Sequence, residues 1–143
     1  MTLQELYSIP HLKKEIAGYE EKIKELEEMA ESTTAKITGM PRGGGTSDKV
    51  GECATAIAFY KDFLKQAIAK RITTEIEILR YVESINDAEL RRIMFLRFIQ
   101  QKTWQQVADE IGGNNTEDSV RKRCNRYVSK RETMSDMSDL QAV

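Results

Sequence analysis

Basic side chains are concentrated between residues 119 and 131 of the sequence. This segment holds six basic residues and no acidic one: Arg121, Lys122, Arg123, Arg126, Lys130 and Arg131. Guanidinium groups bind phosphate oxygens in a bidentate manner, and ammonium groups bind them as point charges. A cluster of this kind predicts attraction to a nucleic-acid backbone. The alternative is a solvated charged face on a small helical bundle.

A helical conformation would sort this segment into two faces, because each residue advances by about 100°. The face expected to be buried holds four side chains: Val120, Cys124, Tyr127 and Val128. On the opposite side, four residues are predicted to face base edges: Ser119, Lys122, Asn125 and Arg126. Four more are predicted to hold phosphates: Arg121, Arg123, Lys130 and Arg131. Lys102 is a weaker candidate near the preceding turn.

Three short helical patterns must position these side chains. The first pattern contains Leu90, Ile93 and Met94, and Asn86 or Asp87 can cap it. The second has apolar residues at i, i+3, i+4 and i+7: Trp104, Val107, Ala108 and Ile111. Gly112-Gly113-Asn114-Asn115 then favours a turn, and Thr116 or Asn115 can cap the third helix. We therefore predict a helix-turn-helix over residues 86–131, with Trp104 in its core rather than stacked on a base.

This part of the chain resembles the sigma-70 region 4-like helix-turn-helix domains. The resemblance lies in residues 102–112, KTWQQVADEIG, and in residues 119–123, SVRKR. The turn between Gly112 and Val120 is longer than in that family. With its Met40-Pro41-Arg42-Gly43-Gly44-Gly45 loop, the whole chain resembles small phage proteins of the DUF1492 type, relatives of the RinA and ArpU late-transcription regulators. The resemblance implies a sequence-specific DNA-binding regulator that activates phage late genes together with host RNA polymerase.

Two other functions stay open at this point. One is a DNA-packaging factor similar to a small terminase subunit, and the other is a coiled-coil interaction module that binds polymerase or another regulator. Enzymatic activity is not expected, because His11 is the only histidine and no nucleophile, carboxylate pair or metal-ligand spacing is recognisable. We expect no cofactor and no metal.

The first 85 residues predict an antiparallel hairpin of two long helices, a coiled coil, so the expected fold is all-α. The first stripe contains Leu12, Ile16, Tyr19, Ile23, Leu26 and Met29, after a short weakly fixed lead with Ser8 as cap and Pro10 in the first turn. A glycine-rich connection over residues 38–48 follows. Ser47 or Asp48 can then cap a second helix that reaches Ser84. Residues 132–143 have no sustained period and are predicted to be a disordered tail.

The second long helix carries more apolar surface than the first can cover: Ile68, Ile72, Ile76, Ile78 and Leu79. We predict a homodimer or a higher homo-oligomer through the long helices, with an intramolecular bundle as the alternative.

Charge is unevenly distributed along the chain. Residues 1–34 hold four basic and eight acidic side chains, whereas residues 87–131 hold ten basic and six acidic ones. The second segment is therefore the candidate for DNA binding, and the first is more suited to a protein partner.

The remaining composition bears on redox state and location. Cys53 and Cys124 both fall on predicted apolar faces, which favours two buried reduced thiols over a disulfide or a metal pair. No signal-peptide pattern is present, and no window approaches the roughly 20 apolar residues that a membrane span needs. We expect the protein in the cytoplasm of a bacterial host.

Overall fold

Helices account for nearly all of the backbone that the structure describes. The computed structural model describes residues 1–35 and 45–142, with the side chains of residues 33–35 and 45–48 left undescribed. No strand occurs among the described residues, so the predicted all-α class is confirmed. The helices are α1 (Leu3–Leu6), α2 (Ser8–Ala35), α3 (Gly45–Glu83), α4 (Ala88–Met94), a π-helical segment (Phe95–Ile99), α5 (Trp104–Ile111) and α6 (Glu117–Gln141).

The chain divides into two compact units. Unit 1 combines Met1–Pro10 with Ile72–Val143, and unit 2 comprises His11–Arg71. We predicted one boundary, between residues 85 and 86. The structure instead divides the chain between residues 10 and 11 and again between residues 71 and 72. The physical reason is that Leu6, Ile9, Ile78 and Val82 are all fully or almost fully buried, in a core that they share with α4 to α6.

Unit 2 is built from most of α2 and the first part of α3. Within unit 2, four residues of the predicted α2 stripe are buried, Leu12, Ile16, Ile23 and Leu26, whereas Tyr19 is half-buried and Met29 is half exposed. Aromatic and charged contacts join the two helices. The Tyr19 ring lies 6.3 Å from Tyr60 and 6.2 Å from Phe63, and Lys61 Nζ lies 3.8 Å from Glu27 Oε1.

The start of α3 differs from its prediction. The helix begins at Gly45, so Ser47 and Asp48 lie inside its first turn and neither is its N-cap. Residues 45–48, predicted as part of the glycine-rich connection, are therefore helical. The helix therefore begins three or four residues earlier than either predicted cap would have placed it. The rest of that connection, including Met40-Pro41-Arg42-Gly43-Gly44, lies outside the described residues.

The N-terminal residues are more ordered than predicted. Thr2 and Glu5 form a capping box at α1: the Glu5 N–H donates to Thr2 Oγ1 at 3.1 Å, and the Thr2 N–H donates to Glu5 Oε2 at 2.6 Å. The Tyr7 ring meets Phe98 edge-on at 5.2 Å. Ser8 begins α2 rather than capping it, because its hydroxyl donates to the carbonyl of Glu5 at 2.6 Å.

The α4 region carries a feature that the sequence pattern does not reveal. Asp87 caps α4 as predicted, since its carboxylate accepts from the N–H groups of Glu89 and Leu90. The helix then widens over Phe95–Ile99, where the Gln100 N–H donates to the carbonyl of Phe95 at 3.0 Å. This single wide turn is a π-bulge. Gln101 ends it in a left-handed conformation, with φ of 58°.

The C-terminal end of α6 contradicts the prediction for residues 132–143. The helix continues without a break to Gln141, so the tail is helical rather than disordered. No glycine or proline interrupts residues 117–142. Met134, Met137 and Leu140 are 59–78% exposed, so they form no buried apolar face among the residues that the structure describes. A periodic pattern of apolar residues indicates a helix only where one face of the helix is buried. The pattern therefore did not predict this exposed part of α6.

Candidate nucleic-acid interface

α5 is fixed at its start and along its apolar face. Thr103 and Gln106 form a capping box, with the Gln106 N–H donating to Thr103 Oγ1 at 3.2 Å. Trp104 is 8% exposed and meets Phe98 edge-on at 6.2 Å. Val107 and Ala108 are buried beside it. The prediction that Trp104 belongs to the core is confirmed, and α5 packs on α4 and α6 through this face.

The turn between α5 and α6 depends on two glycines. Gly112 has φ of 74° with ψ of −161°, and Gly113 has φ of 66°. No atom lies within 4 Å of a Cβ placed on either residue, so backbone conformation alone requires glycine there. The Asn115 side-chain N–H donates to the carbonyl of Gly112 at 3.0 Å. Thr116 then caps α6, as predicted.

The buried face of α6 agrees with its prediction. Val120, Cys124 and Val128 are at most 1% exposed, and Tyr127 is half-buried. Burial raises the pKa of the Cys124 thiol to about 12. Both cysteines are free and buried, which confirms their predicted state.

Arg123 faces the protein rather than open solvent. Its Nη2 lies 2.6 Å from Asp87 Oδ2 and its Nη1 lies 3.1 Å from Glu89 Oε2. The pKa of Asp87 is lowered, mainly by the hydrogen bond from the Leu90 N–H and then by Arg123. The hydrogen bond to Asp87 in turn raises the pKa of Arg123. This side chain, predicted to hold phosphate, instead ties α6 to the start of α4.

Arg131 also turns inward. Its Nη1 donates to Ser84 Oγ at 2.8 Å and to the Tyr127 hydroxyl at 3.1 Å. Its guanidinium carbon lies 4.9 Å from the centre of the Tyr81 ring, a cation–π arrangement. Burial raises the pKa of Tyr81 to about 12. The second predicted phosphate ligand therefore holds α6 against the end of α3.

Two predicted base-reading residues, Ser119 and Asn125, are less suited to bases in the structure than their types predicted. The Ser119 hydroxyl accepts from the Thr116 N–H at 2.8 Å and donates to the Thr116 carbonyl at 2.9 Å, which completes the cap of α6. Asn125 is half-buried and its side-chain oxygen is turned away from solvent. Ser119 is exposed but its hydroxyl is engaged in the cap, and Asn125 lies at the edge of the buried face.

Arg121 and Lys122 share one carboxylate. Arg121 Nη2 lies 2.6 Å from Asp118 Oδ1, and Lys122 Nζ lies 2.6 Å from Asp118 Oδ2. The pKa of Asp118 is lowered by Lys122 first and by Arg121 second. All three side chains are about half exposed or more. Exposed ion pairs of this kind are weak, so a phosphate can displace Asp118 at little cost.

Arg126 and Lys130 are the least engaged of the candidates. Both are exposed, and neither meets an ion-pair or hydrogen-bond partner among the residues that the structure describes. With Lys122 they stand at i, i+4 and i+8, so they follow one another along one side of α6 at about 6 Å per step. We name Lys122, Arg126 and Lys130 the cationic ridge. It lies opposite the buried face of α6.

Lys102, the weaker candidate, is paired with a carboxylate of α5. Its Nζ lies 2.8 Å from Glu110 Oε2, and its carbonyl accepts from Arg97 Nη1 at 2.7 Å.

Sequence reasoning found Asp87 only as a helix cap and missed its pairing with Arg123. No local signal could have shown that contact, because the two residues are 36 positions apart.

Within residues 1–35 and 45–142, no group of three or more His, Cys, Asp or Glu side chains could hold a metal ion. None of the helices in that part is both long and apolar enough to cross a membrane. The resemblances to sigma-70 region 4 and to the DUF1492 type stay predictions. Comparisons of the chain with protein-family models, with curated proteins and with solved structures found no match.

Proposed function

We propose that the protein is a sequence-specific DNA-binding transcription regulator. In this proposal α4 to α6 form a sigma-70 region 4-like helix-turn-helix, and α6 enters the major groove. α2 and α3 would form an antiparallel long-helix hairpin. The observation that carries the proposal is the cationic ridge, three basic side chains exposed along one side of a helix whose other side is buried.

The supporting geometry is that of a helix held firmly and presented on one face. Arg123 and Arg131 anchor α6 at two points, on the start of α4 and on the end of α3. Val120, Cys124 and Val128 fill the space between these anchors. A site built on a rigid helix keeps its side chains in register with a repeating backbone better than a loop does.

The contacts suggest a changed division of roles within the predicted set. Lys122 and Arg126 are the candidates for base edges, and Lys130 and Arg121 are the candidates for phosphates. Arg123, Arg131 and Ser119 position α6 instead. Glu117 and Asp118 stabilise the positive end of α6 but repel phosphate, so the strongest backbone contact belongs farther along the helix.

α2 suits a protein partner better than DNA. Seven of the eight acidic residues counted in the first 34 positions lie on this helix, and all seven are exposed: Glu15, Glu20, Glu21, Glu25, Glu27, Glu28 and Glu31. An acidic surface repels a duplex and complements a basic protein surface. We propose host RNA polymerase as that partner and the bacterial cytoplasm as the place of action, which follows the resemblance to phage late-gene activators.

The test is selection of bound DNA followed by affinity measurements on the selected duplex. Fragmented phage DNA is retained on the purified protein and sequenced, and the enriched site is titrated by fluorescence anisotropy. Arg126→Gln should weaken binding to that site by about 1–3 kcal/mol and relax preference at one or two base pairs. Lys14→Gln, the loss of an exposed charge on α2, is the matched control and should leave affinity unchanged.

Two outcomes would reject the proposal. One is the absence of any shift with random duplex at low salt and micromolar protein, which would favour the interaction module. The other is equal loss of affinity from Arg126→Gln and Lys14→Gln.

A further inference from the structure

The last turns of α3 expose an apolar face within unit 1. Ile72, Ile76 and Leu79 are 54%, 45% and 38% exposed, whereas Ile78 and Val82 on another side of the same helix are fully buried. The three exposed residues follow one another at steps of four and three, the spacing of a coiled-coil seam. Isolated exposed apolar residues are common, but a row at this spacing marks a surface that packs against another helix.

Two charged residues border this face. Glu75 comes immediately before Ile76, and Arg80 comes immediately after Leu79. With Ile76 at position a and Ile72 and Leu79 at position d, Glu75 occupies position g and Arg80 occupies position e. Neither side chain has an ion-pair or hydrogen-bond partner in the described part of the chain. They are therefore available for a partner across the seam.

We propose that this face pairs with the same face of a second copy of the chain, with the two α3 helices parallel. In a parallel pair, position g of one helix lies opposite position e of the next heptad on its neighbour. Glu75 of each copy then faces Arg80 of the other, which gives two symmetric ion pairs. Isoleucine at a with leucine at d, the arrangement of Ile76 and Leu79, favours a two-stranded assembly, whereas Ile72 at the other d position does not add to that preference.

An antiparallel pair does not fit the charges. That orientation brings each flank of the helix against the same flank of the partner, so glutamate approaches glutamate and arginine approaches arginine. Like charges at these positions oppose association. The flanking charges thus select the parallel orientation, and the short seam makes the dimer reversible and dependent on concentration.

The orientation has a consequence that rests on the proposed function. Unit 1 contains both this face and α6, so a two-fold axis along the paired helices relates two cationic ridges. Two ridges related in this way require an inverted repeat in the DNA rather than a direct repeat.

Sedimentation of the full chain without DNA tests the dimer. Glu75→Arg alone and Arg80→Glu alone should each raise the dissociation constant about tenfold, because each creates two like-charge contacts. An equimolar mixture of these two variants should form a heterodimer as tight as the unaltered homodimer. Glu77→Arg, an exposed glutamate outside the seam, is the matched control and should sediment like the unaltered chain.

Three results would overturn the inference: an unaltered chain that is monomeric at every concentration, single variants that dimerise normally, or a mixture that is not rescued. Helix content from circular dichroism shows that each variant is folded. Because no DNA is present, the outcome is separable from the proposed function. A dimer that binds no DNA would reject only the regulator, and a monomer that binds DNA would reject only this inference.

Discussion

At the scale of single residues, position on α6 separates side chains of the same type. Arg123 and Arg126 are three positions apart, yet Arg123 bridges two carboxylates and Arg126 meets no described partner. The sequence predicted that both bind DNA, because composition alone cannot distinguish them. The distinction arises from Asp87 and Glu89, which only the packing of α4 on α6 brings close.

Replacing Arg123 by glutamine should therefore lower stability and leave DNA binding little changed. Replacing Arg126 by glutamine should weaken DNA binding and leave stability little changed. Arg123→Gln is expected to lower the free energy of unfolding by about 0.5–1 kcal/mol, the range for partly exposed ion pairs. Arg126→Gln should change that free energy by less than about 0.5 kcal/mol, since its side chain is exposed. Urea denaturation measures both. Equal destabilisation by the two changes would contradict the assigned roles.

The acid dependence of stability should report on Asp87. Its pKa is lowered in the folded chain by the Leu90 N–H and by Arg123, so its charge stabilises the fold above the ordinary carboxyl pKa. That contribution is lost as pH falls below about 4, towards the lowered pKa. Asp87→Asn should thus be less stable than the unaltered chain near neutral pH, and the difference should shrink in acid.

The same comparison in an Arg123→Gln background provides the control. Removal of Arg123 leaves the helix cap and takes away one cause of the lowered pKa, so the pH-dependent difference should become smaller. Thermal unfolding from pH 3 to pH 7 measures it. A difference that is independent of pH would show that the charge of Asp87 contributes nothing.

At the scale of elements, local signals predicted the starts of α4 and α6 but not those of α2 and α3, and glycine signals predicted the turn before α6. Thr116 and Asp87 were correctly identified as caps, because their side chains accept from backbone N–H groups nearby in sequence. The π-helical segment at Phe95–Ile99 was missed, because no residue type or spacing in FLRFI marks a wider turn. The far end of α6 was missed because it lacks a buried face.

Replacing Gly112 by alanine and replacing Gly18 by alanine should change the stability of the protein in opposite directions. Gly112→Ala should destabilise the protein by about 1–3 kcal/mol, because its φ of 74° and ψ of −161° lie in a region that only glycine adopts readily. Gly18 lies within α2 with open space around its Cβ position, so Gly18→Ala should stabilise by roughly 0.5–1 kcal/mol. Denaturant unfolding of both variants checks the pair, and destabilisation by Gly18→Ala would contradict this account.

At the scale of the whole molecule, the sequence predicted the fold class but placed the boundary wrongly. The helical periods continue smoothly through residues 72–85, and nothing in them shows that this end of α3 packs in the core of unit 1. The same long-range packing decides which basic residues stay exposed. The candidate residues could therefore be identified from the sequence. Which of them hold α6 in place and which stay exposed depends on the long-range packing.

The size of the assembly separates regulation from DNA packaging. A regulator that pairs through α3 should have twice the mass of the chain in light scattering at high concentration. A packaging factor similar to a small terminase subunit is expected to form a ring of eight or more copies. A ring would therefore contradict the regulator, and it would also contradict a two-stranded seam.

The most direct measurement of the central claim is the salt dependence of duplex affinity with and without the cationic ridge. Each phosphate contact contributes about 0.9 to the slope of log affinity against log salt concentration. A chain that carries Lys122→Gln, Arg126→Gln and Lys130→Gln should lose about 0.9 for each of these residues that holds a phosphate, while Arg123→Gln should leave the slope unchanged. An identical slope for the triple variant and the unaltered chain would show that α6 does not present this ridge to DNA.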